Sequence, residues 1–295
     1  MSAPTFDIAA GAVRPTHGAV FARRILGDPL GLLGLTLVFV VVFCGVFADW
    51  IAPYDPFKII VPDRFQPPSL THFMGTDNLG RDIFSRVIKG SQIALVVGIV
   101  SILLAQVAGL TLGLIAGYGP RWLDNFLLLL FDTIYSFPAV MLALAIITLL
   151  GPSLLTILFV VILFQTPAYG RLVRTATLTI KNSEFVLAER SLGASPPRVL
   201  GRHILPNIIG PLFVLGSMDI PSVITLEAGL SFLGLGIPPP TPSWGRILQE
   251  GYVLIREAPW VVVAGGVPLI ITTLGFTFLG ESLRDMLDPK LRRVI

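Results

Sequence analysis

Few side chains in this sequence could do chemistry, and those that stand out are acids set among apolar residues. Asp132, Asp219 and Glu227 lie in or beside long uncharged runs. An ionisable group at membrane depth is costly, so it usually faces a bundle interior or a wet cavity and pairs there. Asp132 falls about a turn and a half into its run, within reach of water or a nearby Arg, and Asp219 falls roughly 20 Å along its own at the helical rise. Asp219 therefore reads as facing a pathway or a subunit interface, or else as making a structural hydrogen bond. Glu227 lies near the outer end and reads as interfacial. A proton relay would want several acids at matching depth on neighbouring helices, and these three differ. His17, His72 and His203 are too scattered for a metal site, and Cys44 is the only cysteine, which leaves no disulfide framework. No Gly-Lys dipeptide occurs, so a phosphate-binding P-loop is excluded, and there is neither a triad spacing nor an H-E-x-x-H motif. The chain is expected to bind no cofactor of its own.

One polar stretch is organised differently. It runs Lys181-Asn-Ser-Glu-Phe-Val-Leu-Ala-Glu-Arg-Ser-Leu-Gly193, then Ala194-Ser-Pro-Pro-Arg-Val-Leu-Gly-Arg-His-Ile-Leu-Pro206. This reads as two short helices with a glycine hinge. Asn182 or Ser183 can cap the first, and Glu184 sits in its first turn, where the helix dipole favours negative charge. Gly193 is placed to end it in the left-handed conformation. Ser195 caps the second, with Pro196 at its first position. A short capped helix held beside a membrane bundle is a handle that another protein can grip.

The elements that must position these residues are apolar helices. Of 295 residues, 54% are hydrophobic and 13% charged, about half the charged share of a soluble domain, and the mean hydropathy is +0.82. Charge is absent from Pro29–Ala48, Ile93–Pro120 and Ala258–Gly280, each long enough to cross a bilayer. The uncharged run Thr133–Gly170 holds most of two spans, turned in the middle by Gly151-Pro152-Ser153 into a tight hairpin. Pro206–Glu227 is a further span. The reading is an all-α integral membrane protein with six transmembrane helices, and no segment alternates like a barrel strand. The first span follows Arg23 and Arg24 without a cleavage signal, and is expected to be an uncleaved anchor.

Placing both termini inside gives fourteen Lys and Arg to the inner segments and seven to the outer, five of those in 51–92. Trp50, Trp122 and Trp260 fall at span ends, where indole prefers the headgroups. The net charge of +3 thus describes membrane topology and gives no case for nucleic acid. Ser101, Ala105, Gly109, Gly113 and Gly117 recur every four residues, a stripe suited to close helix packing or to lining a path. After the breaker run Pro238–Pro242, an amphipathic helix puts Trp244, Ile247, Leu248, Gly251, Tyr252 and Ile255 on one face. Arg246, Gln249 and Glu250 lie opposite, and the helix is expected to lie on the outer surface.

The polar stretch also resembles the cytosolic signature of ABC importer permeases: Glu-Ala-Ala, three residues, Gly, nine residues, Ile, one residue, Leu-Pro. Gly193 and Leu205-Pro206 keep that spacing. Leu187, Ala188 and Glu189 occupy the Glu-Ala-Ala positions, so two of three depart, and His203 stands at the Ile position with Ile204 beside it. His72-Phe-Met-Gly-Thr-Asp-Asn-Leu-Gly-Arg-Asp-Ile-Phe-Ser-Arg86, Glu227-Ala-Gly-Leu-Ser-Phe-Leu-Gly-Leu-Gly-Ile-Pro238, Pro242-Ser-Trp-Gly245 and Leu283-Arg-Asp-Met-Leu-Asp-Pro289 are similar to the second, C-type permease subunit of dipeptide, oligopeptide and nickel importers.

The resemblance implies the type I ABC importer permease fold with both termini inside. It divides the chain into a cytosolic segment 1–28, a first span 29–51, an outer loop 52–92, a core transmembrane domain 93–285 with a cytosolic loop 171–205, and a tail 286–295. It implies a heterodimer with a related permease, two cytosolic ATPases that bind ATP and Mg, and an extracytoplasmic substrate-binding protein. By this carry-over Glu184, Phe185, Leu187, Ala188, Glu189, Arg190 and Gly193 belong to an ATPase-coupling helix, and Asp219, Asp132 and Glu227 are candidates for pathway or interface. The expected cargo is di- or oligopeptides, with nickel or other metal chelates and small solutes as the alternative. A self-sufficient secondary transporter would instead show inverted repeats, helices broken near mid-membrane or several paired intramembrane charges, and the sequence shows none clearly.

Overall fold

The structure, a computed structural model, describes residues 27–287, with the side chain of Leu287 excepted. The expected N-terminal segment up to residue 26 and the tail from 288 lie outside the described residues. Helix α1 (Pro29–Val46) starts where Asp28 accepts the Leu30 backbone N–H at 3.1 Å and Pro29 fills the first position. It lies against the last helix, α9 (Pro259–Leu287), so closely that a β-carbon on Gly34 would sit 2.5 Å from the Leu279 nitrogen.

Helix α2 (Ile83–Tyr118) is 36 residues long and loosens into a π turn at Val96–Val100. It begins at Ile83 rather than Ile93 because Asp82 caps it, accepting the Ser85 N–H at 2.8 Å. The small-residue stripe packs on α5 (Leu154–Lys181): a β-carbon at Gly113 would meet the Gly170 carbonyl at 2.6 Å, and one at Gly117 would meet Thr177. The stripe is a packing surface within one bundle.

The expected third span is bent. α3 (Arg121–Tyr135) and α4 (Ala139–Leu150) meet at 89° across Ser136-Phe137-Pro138. Pro138 offers no N–H and disfavours helical backbone at Phe137, which ends α3 there. The hairpin turn is present, with Gly151 at φ +83° and Ser153 capping α5 through the Thr156 N–H at 3.1 Å. Beyond α6 (Glu184–Ser191), helix α7 (Pro196–Phe232) runs 37 residues, so the expected second short helix is the opening of this span, joined to it by a π turn at Leu200–Ile204. Among the described residues, five helices are long and apolar enough to cross a membrane, six with the bent pair counted as one span. All described regular structure is helical, apart from a single bridge between Thr76 and Asp82.

Helix α8 (Trp244–Val253) does not lie free on the surface. Trp244, Ile247 and Gly251 are buried, the Trp244 indole donates to the Val87 carbonyl at 2.9 Å, and a β-carbon on Gly251 would overlap the Val262 backbone of α9. Tyr252 and Ile255, assigned to the apolar face, are exposed, whereas Glu250 on the opposite face is enclosed. Trp50 and Trp122 are exposed at helix ends as expected, but Trp260 is partly buried with its indole 3.4 Å from the Thr76 carbonyl.

Candidate functional site

Helix α6 projects between the ends of α5 and α7. Ser183 takes the capping position, yet its hydroxyl donates back to the Ile180 carbonyl at 2.6 Å, leaving the first turn of α6 without a side-chain cap. Ser195 likewise precedes α7 without a side-chain capping bond, and Pro196 occupies the first position. Gly193 ends the turn at φ +88°. Its N–H donates to the Arg190 carbonyl and the Ala194 N–H to the Glu189 carbonyl, both at 3.0 Å, which satisfies carbonyls a helix end leaves open. Nothing lies within 4 Å of a β-carbon built on Gly193, so only backbone conformation calls for glycine there.

The structure gathers the sequence-selected residues of this stretch onto one exposed element. Within α6 only Val186 is buried. Glu184, Phe185, Leu187, Ala188 and Arg190 are exposed, while Glu189 is partly covered and lies 3.9 Å from the His203 imidazole. The Phe185 ring meets His203 edge-on at 5.8 Å. Leu192, which the sequence reading passed over, is 86% exposed at the tip. A large apolar side chain beside the hinge glycine was the available signal. Phe185, Leu187 and Leu192 thus leave three large hydrophobic side chains exposed on and just beyond one short helix.

A second group of polar residues lies on α3, α5 and α7, with Tyr169 buried, Tyr135, Arg171 and Asp219 partly covered and Asp132 exposed. The Tyr169 hydroxyl donates to the Asp219 carboxylate at 2.8 Å. Two residues further along α5, Arg171 donates to Asp132 at 2.6 Å, and its guanidinium sits 4.8 Å from the centre of the Tyr135 ring. The structure therefore brings Asp132 and Asp219 into one layer. Asp132 is near the far end of α3, just before the bend, not a turn and a half into its helix. Glu227 is elsewhere and is not surface-facing: it is 2% exposed and accepts from the Ser231 hydroxyl at 2.6 Å. Tyr135, Tyr169 and Arg171 escaped the sequence reading because tyrosines are unremarkable in a span and Arg171 looked like the first residue outside it.

Residues 109–293 match the family of binding-protein-dependent transport system inner membrane components. The chain belongs to this family of permeases. Residues 18–68 match the N-terminal transmembrane domain of oligopeptide transport permease C. The permease is 36% identical to a dipeptide transport system permease protein, DppC, of Alkalihalophilus pseudofirmus, over 95% of this chain and 92% of that one. It is 38% identical to a glutathione transport system permease protein, GsiD, of Pectobacterium atrosepticum, over 92% and 91%. A chain of the MetNI methionine ABC transporter shares the fold with a TM-score of 0.57 at 18% identity, over 70% of this chain and 98% of that one. The protein is thus a transport subunit of an ABC importer in the cytoplasmic membrane, one that works with an ATPase and a substrate-binding protein.

The permease does contain one feature that a self-sufficient carrier was expected to show, a span bent by 89°, together with a single exposed pair, Asp132–Arg171. The family assignment makes these features of an importer subunit. Its densest charge network lies at the opposite end from α6. Arg86 reaches Asp77 at 2.5 Å and Glu250 at 2.7 Å, while Arg81 reaches Asp77 at 2.7 Å and Glu250 at 3.3 Å. Burial alone would raise the Glu250 carboxyl, but Arg86, with Arg81 and Arg246, more than offsets that and holds it below the ordinary glutamate value. The sequence gives no hint of this network because α8 and the 77–86 segment are joined only by folding.

Proposed function

We propose that α6 is the coupling helix through which a cytosolic ATPase drives this permease, and that the layer of Asp132 and Asp219 belongs to its half of the translocation pathway. The observation that carries the reading is the geometry of α6. It is a compact, exposed helix with an apolar tip, closed by a left-handed glycine and continuous through Pro196 with a spanning helix. A push on such an element moves a whole span as a rigid body. On this reading α6 and both chain ends are cytosolic, and the 52–82 segment and α8 are extracytoplasmic. A related permease supplies the other half of the pathway, and two ATPases bind the ATP and Mg. The chain itself binds neither, in keeping with its lack of a Gly-Lys dipeptide.

The cargo is a short peptide, delivered by the binding protein to the α8 end. Support comes from the dipeptide and glutathione permeases that this chain resembles over more than nine-tenths of its length. The test is reconstitution of the permease pair in vesicles, with binding protein and a labelled dipeptide inside the compartment it faces. Uptake is expected only when both ATPases and ATP are supplied on the α6 side. ATP-independent uptake by the permeases alone would overturn the reading.

A further inference from the structure

The three helices of the polar layer agree on one level in the bundle. Along α3 the chain passes Asp132 and Tyr135 before the bend at Ala139; along α5 it passes Gln165 before Tyr169 and Arg171; along α7 it passes Asp219 before Ser222. Ala139, Gln165 and Ser222 line a cavity of about 190 Å³. Gln165 and Ser222 each sit about one helical turn nearer the α8 end than Tyr169 and Asp219, and Ala139 lies just across the bend from Tyr135. A second cleft, of about 500 Å³, shares Ser222 and Leu226 and continues along α7 past Thr225 to Leu233. The two share Ser222 and Leu226 as one groove with mainly apolar walls, and Ser222 stands one helical turn along α7 from Asp219.

The charges in the layer beside that groove do not balance. Arg171 is matched by Asp132 at 2.6 Å. Asp219, half-buried, accepts from Tyr169 on Oδ2, and among the described residues it enters no ion pair. The layer therefore carries one surplus carboxylate, and low-dielectric walls focus its field along the groove. Carboxylates in a span persist where a cation meets them.

Resting on the reading of this groove as half of the pathway, we infer that Asp219, held by Tyr169, receives the primary ammonium group of the cargo as it moves from the groove toward the α6 end. Tyr169 fixes one carboxylate oxygen and leaves Oδ1 for the incoming N–H donors. The adjacent Arg171–Asp132 pair and the Tyr135 ring keep the layer polar without adding a competing free cation. Cargo lacking a protonated amine finds no counter-charge there. The competing occupant is a fixed cation of the second permease, which would seal Asp219 in a subunit contact.

The test places Ser222→Cys in a Cys44→Ala background of the assembled importer, held in lipid nanodiscs. Rates of modification by water-soluble methanethiosulfonates carrying a trimethylammonium or a sulfonate are each divided by the rate on a free thiol. The normalised cation-to-anion ratio is expected on the order of tenfold, to persist in Asp219→Glu and to fall to about one in Asp219→Asn. Maximal uptake of a free-amine dipeptide should fall in Asp219→Asn with half-saturation unchanged, since the binding protein governs capture. A ratio near one with Asp219 intact, or one unchanged by Asp219→Asn, overturns the ammonium assignment while leaving the groove open to solvent. No modification by either reagent in any nucleotide state places Ser222 in a sealed contact, and overturns the pathway reading together with the inference built on it.

Discussion

At the α8 end of the permease, charged side chains are buried and paired with one another; at the α6 end they stand in solvent around a single buried valine. Asp77 and Arg86 are almost fully enclosed and joined to Glu250 across the fold, whereas Glu184 and Arg190 of α6 are exposed and unpaired among the described residues. A buried network of ion pairs holds one geometry, because any rearrangement strands a charge. A helix resting on Val186 can be shifted without that penalty. The same chain thus builds a fixed platform at one end and a handle at the other, with the polar layer and its groove between them.

Breaking the platform should have the largest effect. Arg86→Ala removes the more deeply buried of the two arginines that bridge Asp77 and Glu250 and is expected to cost about 3–5 kcal/mol, read as a lower thermal midpoint and poor recovery of the purified complex. The same network sets a pH dependence. Because the Glu250 value is depressed below 4.5 in the folded state, its contribution is present at neutral pH and down to that ordinary value. It is lost only as pH falls through the depressed value. Glu250→Gln should remove that acid-side loss from a thermal-midpoint titration.

A smaller effect is expected where α7 approaches the platform. Glu227→Leu strips the buried Ser231 hydroxyl of its acceptor and should cost about 1–3 kcal/mol, with Glu227→Gln retaining most of the stability. Equal stability of the two variants would show that the hydrogen bond does not matter at that end.

At the handle the comparison sharpens, since function should fall while stability hardly moves. Gly193→Val must hold a β-branched residue at φ +88°, a local strain of about 1–2 kcal/mol. It should insert normally and lose uptake and transport-stimulated ATP hydrolysis. Gly193→Asn, which tolerates the left-handed region, should keep both. The smallest stability change belongs to Leu192→Ala, within about 0.5 kcal/mol of the parent, and the measured difference should appear in uptake alone.

Sequence reasoning reached the handle and the spans, and missed the platform, for one physical reason. Helix periodicity, capping residues and hinge glycines act over a few neighbours, so the ends of α6, the left-handed Gly193 and the turn at Gly151 were legible. Pro138 was equally local, but an uncharged run of that length looked like a plain span, and the bend just beyond Asp132 passed unseen. The pairing of Arg86 with Glu250 depends on α8 folding back over the start of α2, which no local pattern encodes. Asp219 was found by its cost in an apolar run, yet its partner Tyr169 was not, because a hydroxyl carries no such cost until it is buried beside a carboxylate.

The central claim is that the exposed tip of α6 is where an ATPase takes hold. The direct measurement is maleimide modification of Leu192→Cys in a Cys44→Ala background, in inside-out vesicles carrying the importer, with Leu70→Cys as the opposite-face control, its parent residue being 94% exposed. Leu192→Cys should react quickly once the ATPases are stripped and slow markedly when they are added back, while Leu70→Cys stays unreactive until the vesicles are opened. Equal rates at Leu192→Cys with and without the ATPases would contradict the coupling assignment.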